Sequence, residues 1–226
     1  MQIWIVVAAY NEADRLEATL RDLLTTGPGG YDIVVVDDGS ADGTRSVAAR
    51  FPVWTLRHPI NCGQGAAVRT GIAFALDRGA QIIVTFDADG QHDASDIPGL
   101  IAPIVERRAD VVLGSRFLGR AVGMPFARRL LLTGARWFTR LVARVAVTDP
   151  QNGLRALSRH AAREIRIAQD GMAHASEIVE QLPARRLRYC EAPVTVRYTP
   201  ATLAKGQRSW NAIRIVGHLI AGRMIK

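Results

Sequence analysis

The sequence predicts an α/β fold, a mostly parallel sheet flanked by helices in one domain spanning 1–226. Three observations carry this. Short apolar runs rich in β-branched residues recur through the first half of the chain. Segments of helical character separate them, and polar clusters follow the strand ends. With 226 residues, 48% hydrophobic and 22% charged, the chain has the size and composition to bury a core.

Each element follows in order. The run IWIVVAA (3–9) is continuously apolar, as suits a strand covered on both faces of a parallel sheet. Tyr10-Asn11-Glu12 follow it and lead into a helix near 12–25. IVVVD (33–37) is a second strand, closed by Asp37-Asp38-Gly39-Ser40, and Asp42 caps a helix near 42–50. VWTL (53–56) leads through Asn61-Cys62-Gly63-Gln64-Gly65 into a helix near 64–78. IIVTF (82–86) ends at Asp87-Ala88-Asp89-Gly90-Gln91, and Ser95 or Asp96 caps a helix near 95–108. VVLG (111–114) completes the regular series. In a doubly wound sheet ligands bind outside the carboxyl ends of the strands, so the four polar clusters mark the site edge.

After residue 115 the rhythm stops. Residues 125–146 read as a helix opened by Pro125, with Arg129, Thr133, Arg136, Arg140 and Arg144 in one narrow stripe. Leu130, Trp137, Phe138, Leu141, Val142 and Val145 form a broad adjoining face. This pattern suits either a core-facing helix with a solvated basic face or a basic helix at a membrane surface. Helices near 159–168 and 173–182, a strand pair around Arg188–Tyr198 and a final helix at 207–225 complete the reading.

Charge is unevenly placed. Of 29 Lys+Arg and 21 Asp+Glu, residues 1–100 hold 7 and 13, a net of −6. That leaves 22 and 8, a net of +14, for residues 101–226. An acidic half suited to a metal precedes a basic half suited to phosphates or an anionic lipid surface. Cys62 and Cys190 lack metal-ligand spacing, which fits a reducing compartment rather than a disulfide scaffold. Residues 1–9 lack a basic leader, and no stretch reaches membrane-spanning length, so neither signal peptide nor membrane span is expected.

Two carboxylates one residue apart at a strand end can both face a hard divalent cation bridging protein and diphosphate. Asp87-Ala88-Asp89 has this form, and Gln91 adds a neutral oxygen; alone, the pattern also suits a solvated turn. Asp37-Asp38 shares the edge and is placed to hydrogen-bond a base or ribose. His92 is a weaker metal candidate, because an oxygen site rarely needs imidazole. Taken singly, Glu12 reads as a first-turn acid, and Arg155 and Arg197 as surface ion-pair partners.

Together YNE, VVVDDGS, NCGQGAAVRTGI, FDADGQH and GSRF resemble the family 2 glycosyltransferases of GT-A fold. More narrowly, they resemble the dolichyl-phosphate mannose synthase and polyprenyl-phosphate glycosyltransferase branch. The resemblance implies an inverting transferase using a nucleotide-diphosphate sugar and Mg²⁺ or Mn²⁺, with C-terminal amphipathic helices. Residues 1–115 would bind the donor and 116–226 the acceptor. Ala9, Tyr10, Glu12, Asp38, Gly65, Asp87 and Ala88 would line the nucleotide-sugar pocket. Asp89 and Gln91 would hold the metal. Arg116, Arg129, Thr133 and Arg197 would meet the acceptor phosphate, and Asp149-Pro-Gln-Asn-Gly-Leu-Arg155 would lie beside the sugar. Departures from the branch are Ala8 for a proline, Gln64 for a lysine, and a late basic loop matched only loosely by Ala204–Ser209.

A lipid phosphate acceptor, already anionic, needs no strong base; a saccharide hydroxyl does, and Asp149 is then the candidate, making Asp89, Arg116 and Asp149 the catalytic set. A sugar nucleotidyltransferase would place a glycine-rich loop after the first strand, where this chain has AAYNEADRL. A nucleic-acid binder would account for the +14 half, but no binding motif accompanies that charge, so no nucleic-acid partner is expected. An inactive relative would not need the DxDxQ set. The expected location is the cytoplasm, attached peripherally to the membrane's cytoplasmic face. The sequence leaves the sugar, the nucleotide and the oligomeric state open.

Overall fold

The computed structural model describes residues 1–26, 30–130, 132–134 and 145–199. Four parallel strands form its first half: β1 (Ile3–Ala9), β2 (Tyr31–Asp37), β3 (Trp54–Arg57) and β4 (Ile82–Asp87). Helices α1 (Ala13–Thr26), α2 (Thr44–Ala48) and α3 (Gln64–Asp77) connect them. A 3₁₀ turn (Ala94–Asp96) and α4 (Ile97–Val105) lead to β5 (Val111–Val122). Then come β6 (Arg155–Ser158), helices Arg159–Glu164 and His174–Ala184, and β7 (Tyr189–Arg197).

The sheet order is β3-β2-β1-β4-β6-β5-β7. β6 runs antiparallel to both β4 and β5, whereas β7 pairs parallel with β5. The continuous apolar runs are explained by burial on both faces, because alternate residues point opposite ways. Ile5, Val7 and Val84 meet Leu16 and Leu20 of α1 and Leu100 of α4. Val6 and Ile83 meet Val68 and Ile72 of α3 and Ile178 of the late helix. Chain direction across the sheet reverses between β1 and β4, which opens a crevice at their carboxyl ends.

Several expected boundaries are corrected. The strand pair around Arg188–Tyr198 is one strand, β7, laid on β5, and β6 was not foreseen. Residues 126–130 and 132–134 are helical, but 145–147 are irregular and Val145 enters the core, so the helix does not reach 146. Arg136, Arg140, Arg144 and the predicted helix 207–225 lie outside the described residues. The 3₁₀ turn is capped by Asp93, whose carboxylate accepts Ser95 N–H, while the Asp96 carboxylate accepts Thr195 N–H instead.

β5 runs longer than VVLG because it continues past a register shift between Ser115 and Arg120. Four β5 residues face a single β7 residue there, and a Cβ on Gly119 would lie 2.3 Å from the Val194 carbonyl oxygen. A bulge of this kind re-aims a side chain. Here the re-aimed side chain is Arg116.

Candidate active site

At the carboxyl ends of β1, β2 and β4 lies a cavity of about 500 Å³, within the range of small-molecule sites. Members of all four polar clusters reach its wall: Ala8 to Tyr10, Glu12, Asp38, Asn61, Gly63, Gln64, Asp87 to Asp89 and Gln91. His92, Arg116, Arg128, Gln151, Gly153, Gly171 and Met172 complete much of the remainder.

The loops after β1 and β2 are stitched together. Asn11, in a left-handed conformation (φ 52°), donates its N–H to Ser40 Oγ (2.9 Å), and its Oδ1 accepts Ala41 N–H (2.9 Å). Asparagine tolerates this backbone region better than most residues. Glu12 N–H donates to Thr44 Oγ1 (2.8 Å), and the Glu12 carboxylate pairs with Arg15 (2.9 Å).

Asp38 is fully engaged. Its Oδ1 accepts Cys62 N–H (3.0 Å) and meets His58 Nδ1 (2.6 Å). Its Oδ2 accepts Gly63 N–H (2.7 Å) and Asn61 Nδ2–H (3.0 Å). A carboxylate offers about four acceptor directions, so Asp38 spends its capacity shaping the 61–63 wall. Asp37, buried beneath, accepts Ser40 N–H (2.9 Å).

At the end of β4, Asp87 Oδ1 accepts Gln64 Nε2–H (2.9 Å) and Oδ2 meets His92 Nε2 (3.0 Å). Burial opposes charge on Asp87, but the His92 hydrogen bond and the positive fields of His92, His174 and Arg155 outweigh it and hold the carboxyl below its usual range. Gly153 packs so close that a Cβ there would lie 2.3 Å from Asp87 Oδ2. Asp89 behaves oppositely. Burial first, then the charge of Asp87, push it up to about 6. Gln91 N–H donates to its Oδ1 (3.0 Å).

The donor set therefore fits a hard divalent cation. Asp89 and Gln91 supply oxygens on the cavity wall, and the charge that Asp89 carries with difficulty beside Asp87 and Glu12 is charge a cation would relieve.

Arg116 also lines the cavity, buried and locked. Its N–H and Nε–H donate to Asp149 Oδ2 (3.1 and 2.6 Å), and Nη1–H donates to the Tyr198 hydroxyl. Burial pulls against its charge, but Asp149 and Tyr198 more than compensate and hold it above its ordinary value. Asp149 is itself set by Glu191, whose Oε1 accepts Thr148 N–H (2.7 Å), Thr148 Oγ1–H (2.7 Å) and Asp149 N–H (3.3 Å). Asp149 lies behind Arg116 and off the cavity wall.

Other expected contacts fall elsewhere. Arg129 is exposed and Thr133 donates to the Arg129 carbonyl (2.8 Å); neither reaches the wall, whereas Arg128 does. Arg128 also lies over the Tyr198 ring, 5.7 Å from its centroid. Arg197 pairs with Asp93, off the wall. Gly65 N–H donates to the Asp170 carbonyl (2.7 Å), binding the 170 loop to α3 rather than facing the cavity. Arg155 is no surface residue. It is buried under Asp87, donates to the Asn152 and Pro150 carbonyls (2.9 Å each), and burial lowers it to about 10.

Several wall residues were not singled out as ligands, among them Arg128, Gln151, Gly153 and Met172. Gly153 sat within the segment already marked beside the sugar, and Arg128 is one residue from the helix phase assumed. Gln151 belongs to that same segment, and Met172 carries no sequence signal.

Comparison with known proteins gives a consistent picture. The family model described as "Glycosyl transferase family 2" matches residues 4–166. An uncharacterized protein of Methanocaldococcus jannaschii is 35% identical over 97% of this chain and 91% of its own length. A UDP-N-acetylglucosamine–dolichyl-phosphate N-acetylglucosaminyltransferase of Methanococcus voltae is 30% identical, over 99% of this chain and 97% of its own. An undecaprenyl-phosphate mannosyltransferase of Micrococcus luteus is 31% identical, over 86% and 83%. Among solved structures, glucosyl-3-phosphoglycerate synthase of Mycobacterium tuberculosis, with Mn²⁺, uridine diphosphate and phosphoglyceric acid, superposes with TM-score 0.72. It is 19% identical and covers 95% of this chain and 77% of its own, a likeness of fold.

Proposed function

This chain belongs to glycosyltransferase family 2, and on that premise we propose that it moves a sugar, with inversion, from a nucleotide-diphosphate sugar to a polyprenyl phosphate. The carrying observation is that Arg116, locked by Asp149 and Tyr198, faces the same cavity as Asp89. An anionic acceptor and a diphosphate donor can meet there. The relatives named for dolichyl and undecaprenyl phosphates support this acceptor class.

The donor half is built from residues 1–115 and the acceptor half from 116–226. Ala9, Tyr10, Glu12 and Ala88 contact the nucleotide, and Asp38 holds the Asn61–Gly63 wall against it. Asp89 and Gln91 hold Mg²⁺ or Mn²⁺. When bound, such an ion neutralises charge developing on the leaving diphosphate. Asp87, kept charged by His92, is oriented toward the ribose or sugar side.

Arg116 binds an acceptor phosphate oxygen and holds it in line with the anomeric carbon, converting a bimolecular encounter into an oriented one. A phosphate oxygen already carries the negative charge of a nucleophile, so no residue need accept a proton. A saccharide hydroxyl would need a base, and the Asp149 carboxylate is tied to Arg116 and set back from the wall. This favours the phosphate acceptor.

Membrane attachment is peripheral and on the cytoplasmic face. No helix among the described residues is long and apolar enough to cross a membrane. Phe126 and Leu130 stand exposed one helical turn apart, and Leu118 and Val122 are exposed on the β5 overhang. The purified protein, given Mn²⁺, polyprenyl phosphate and a panel of nucleotide sugars, should form a lipid-linked sugar detectable by mass spectrometry. A complete panel without lipid product would sink the reading.

A further inference from the structure

We propose that Asp38, His58 and Cys62 form a binding site for a thiophilic divalent cation of the zinc class, separate from the oxygen site at Asp89. The three ligand atoms come from the loops after β2 and β3 and lie within 4.8 Å of one another. Thiolate, imidazole and carboxylate together make a zinc donor set, whereas Mg²⁺ and Mn²⁺ favour the all-oxygen set.

The surroundings suit ligation as well as the atoms do. Metal-bound histidines usually use their second nitrogen to anchor the ring. His58 Nε2 lies 3.0 Å from Thr70 Oγ1, a hydroxyl able to donate or accept. With Nδ1 on an ion, Nε2–H donates to Thr70. Asp38 Oδ2 stays fixed by Gly63 N–H and Asn61 Nδ2–H, and an ion at Oδ1 replaces its His58 contact while the Cys62 N–H bond to Oδ1 remains. Cys62 is a free, exposed thiol, so an ion can enter from solvent and keep water in a fourth position. Tetrahedral zinc spaces its ligand atoms by about 3.3–3.7 Å, so His58 and Asp38 part slightly and the Cys62 side chain swings inward.

The test needs no transfer reaction. Chelator-treated protein is titrated with Co²⁺ in excess Mg²⁺, which fills the oxygen site, and the near-ultraviolet thiolate-to-cobalt band is recorded. The parent should develop that band at one equivalent, and Zn²⁺ should bleach it. Cys62→Ser should abolish it with the circular dichroism spectrum unchanged. His58→Gln should weaken Co²⁺ at least tenfold. Absence of the band overturns the site. So does a band that survives Cys62→Ser, which would place the thiolate at Cys190. A band lost in Cys62→Ser but unweakened in His58→Gln overturns it too, since the thiol then binds without the cluster.

Discussion

Replacing Gly153 with alanine tests whether Asp87 is held by geometry. The new Cβ would lie 2.3 Å from Asp87 Oδ2, 2.7 Å from Oδ1 and 2.8 Å from Cγ. Ordinary contact lies near 3.5 Å, so the carboxylate must retreat by roughly 1 Å. It is held by Gln64 at 2.9 Å and His92 at 3.0 Å, and at least one of these bonds breaks. A hydrogen bond to a charged group contributes about 1.5–3 kcal/mol, so the expected stability loss is about 2 kcal/mol. At this chain length that lowers Tm by about 4–8 °C. An ångström of misplacement at a reacting centre costs on the order of 100-fold, so kcat/KM for the nucleotide sugar should fall by about that factor. Scanning calorimetry and donor-saturation kinetics read the two effects. Gly99→Ala is the control: its Cβ meets nothing within 4 Å inside α4, and it should gain up to about 1 kcal/mol. If Gly153→Ala keeps the parent's Tm and kcat/KM, Asp87 is not positioned as described.

Asp89→Ala should abolish metal-dependent transfer with circular dichroism unchanged; near-normal turnover would remove Asp89 from the metal site. Because burial and Asp87 push the Asp89 carboxyl up to about 6, it gains a proton as pH falls through that value. Half-saturating Mn²⁺ should therefore rise below about pH 6, and a flat requirement there would count against Asp89 as ligand. Arg116→Lys cannot reproduce the paired Asp149 and Tyr198 anchors, so the KM for lipid phosphate should rise at nearly constant nucleotide affinity. Arg129→Lys, off the wall, should change neither, and a shared loss would put both residues in one clamp. Vesicles of anionic lipid should co-sediment the protein at low salt and release it at high salt, while neutral vesicles retain less. Charge reversal of Arg136, Arg140 and Arg144 should remove this attachment, and unchanged sedimentation would locate it elsewhere.

The first half was legible because β1, β2 and β4 are buried on both faces. IWIVVAA marks β1 residue for residue, and the polar clusters after β1 to β4 converge on one cavity. β6 stayed hidden because it is a four-residue antiparallel strand, Arg155–Ser158, whose first residue is a buried arginine. The β5 extension depends on a bulge and on close approach at Gly119, properties of two strands together that neither run displays alone. Arg128 and Arg129 are neighbours in sequence, and helix phase decides which faces the cavity. Asp38, His58 and Cys62 share no recognisable spacing; they meet because β2 and β3 are adjacent. Gln64, a departure from the resembled lysine, proved to hold Asp87.

The central claim is that an anchored Arg116 selects a phosphate nucleophile for the sugar held in the same cavity. The most direct measurement compares nucleoside diphosphate release with polyprenyl phosphate and with the matching unphosphorylated polyprenol, at equal Mn²⁺ and saturating donor. Release should require the phosphate, and Arg116→Ala should abolish the difference between the two lipids. Equal turnover with polyprenol, or with a simple saccharide, would contradict the account, because it would show a nucleophile activated by a base rather than one delivered already charged.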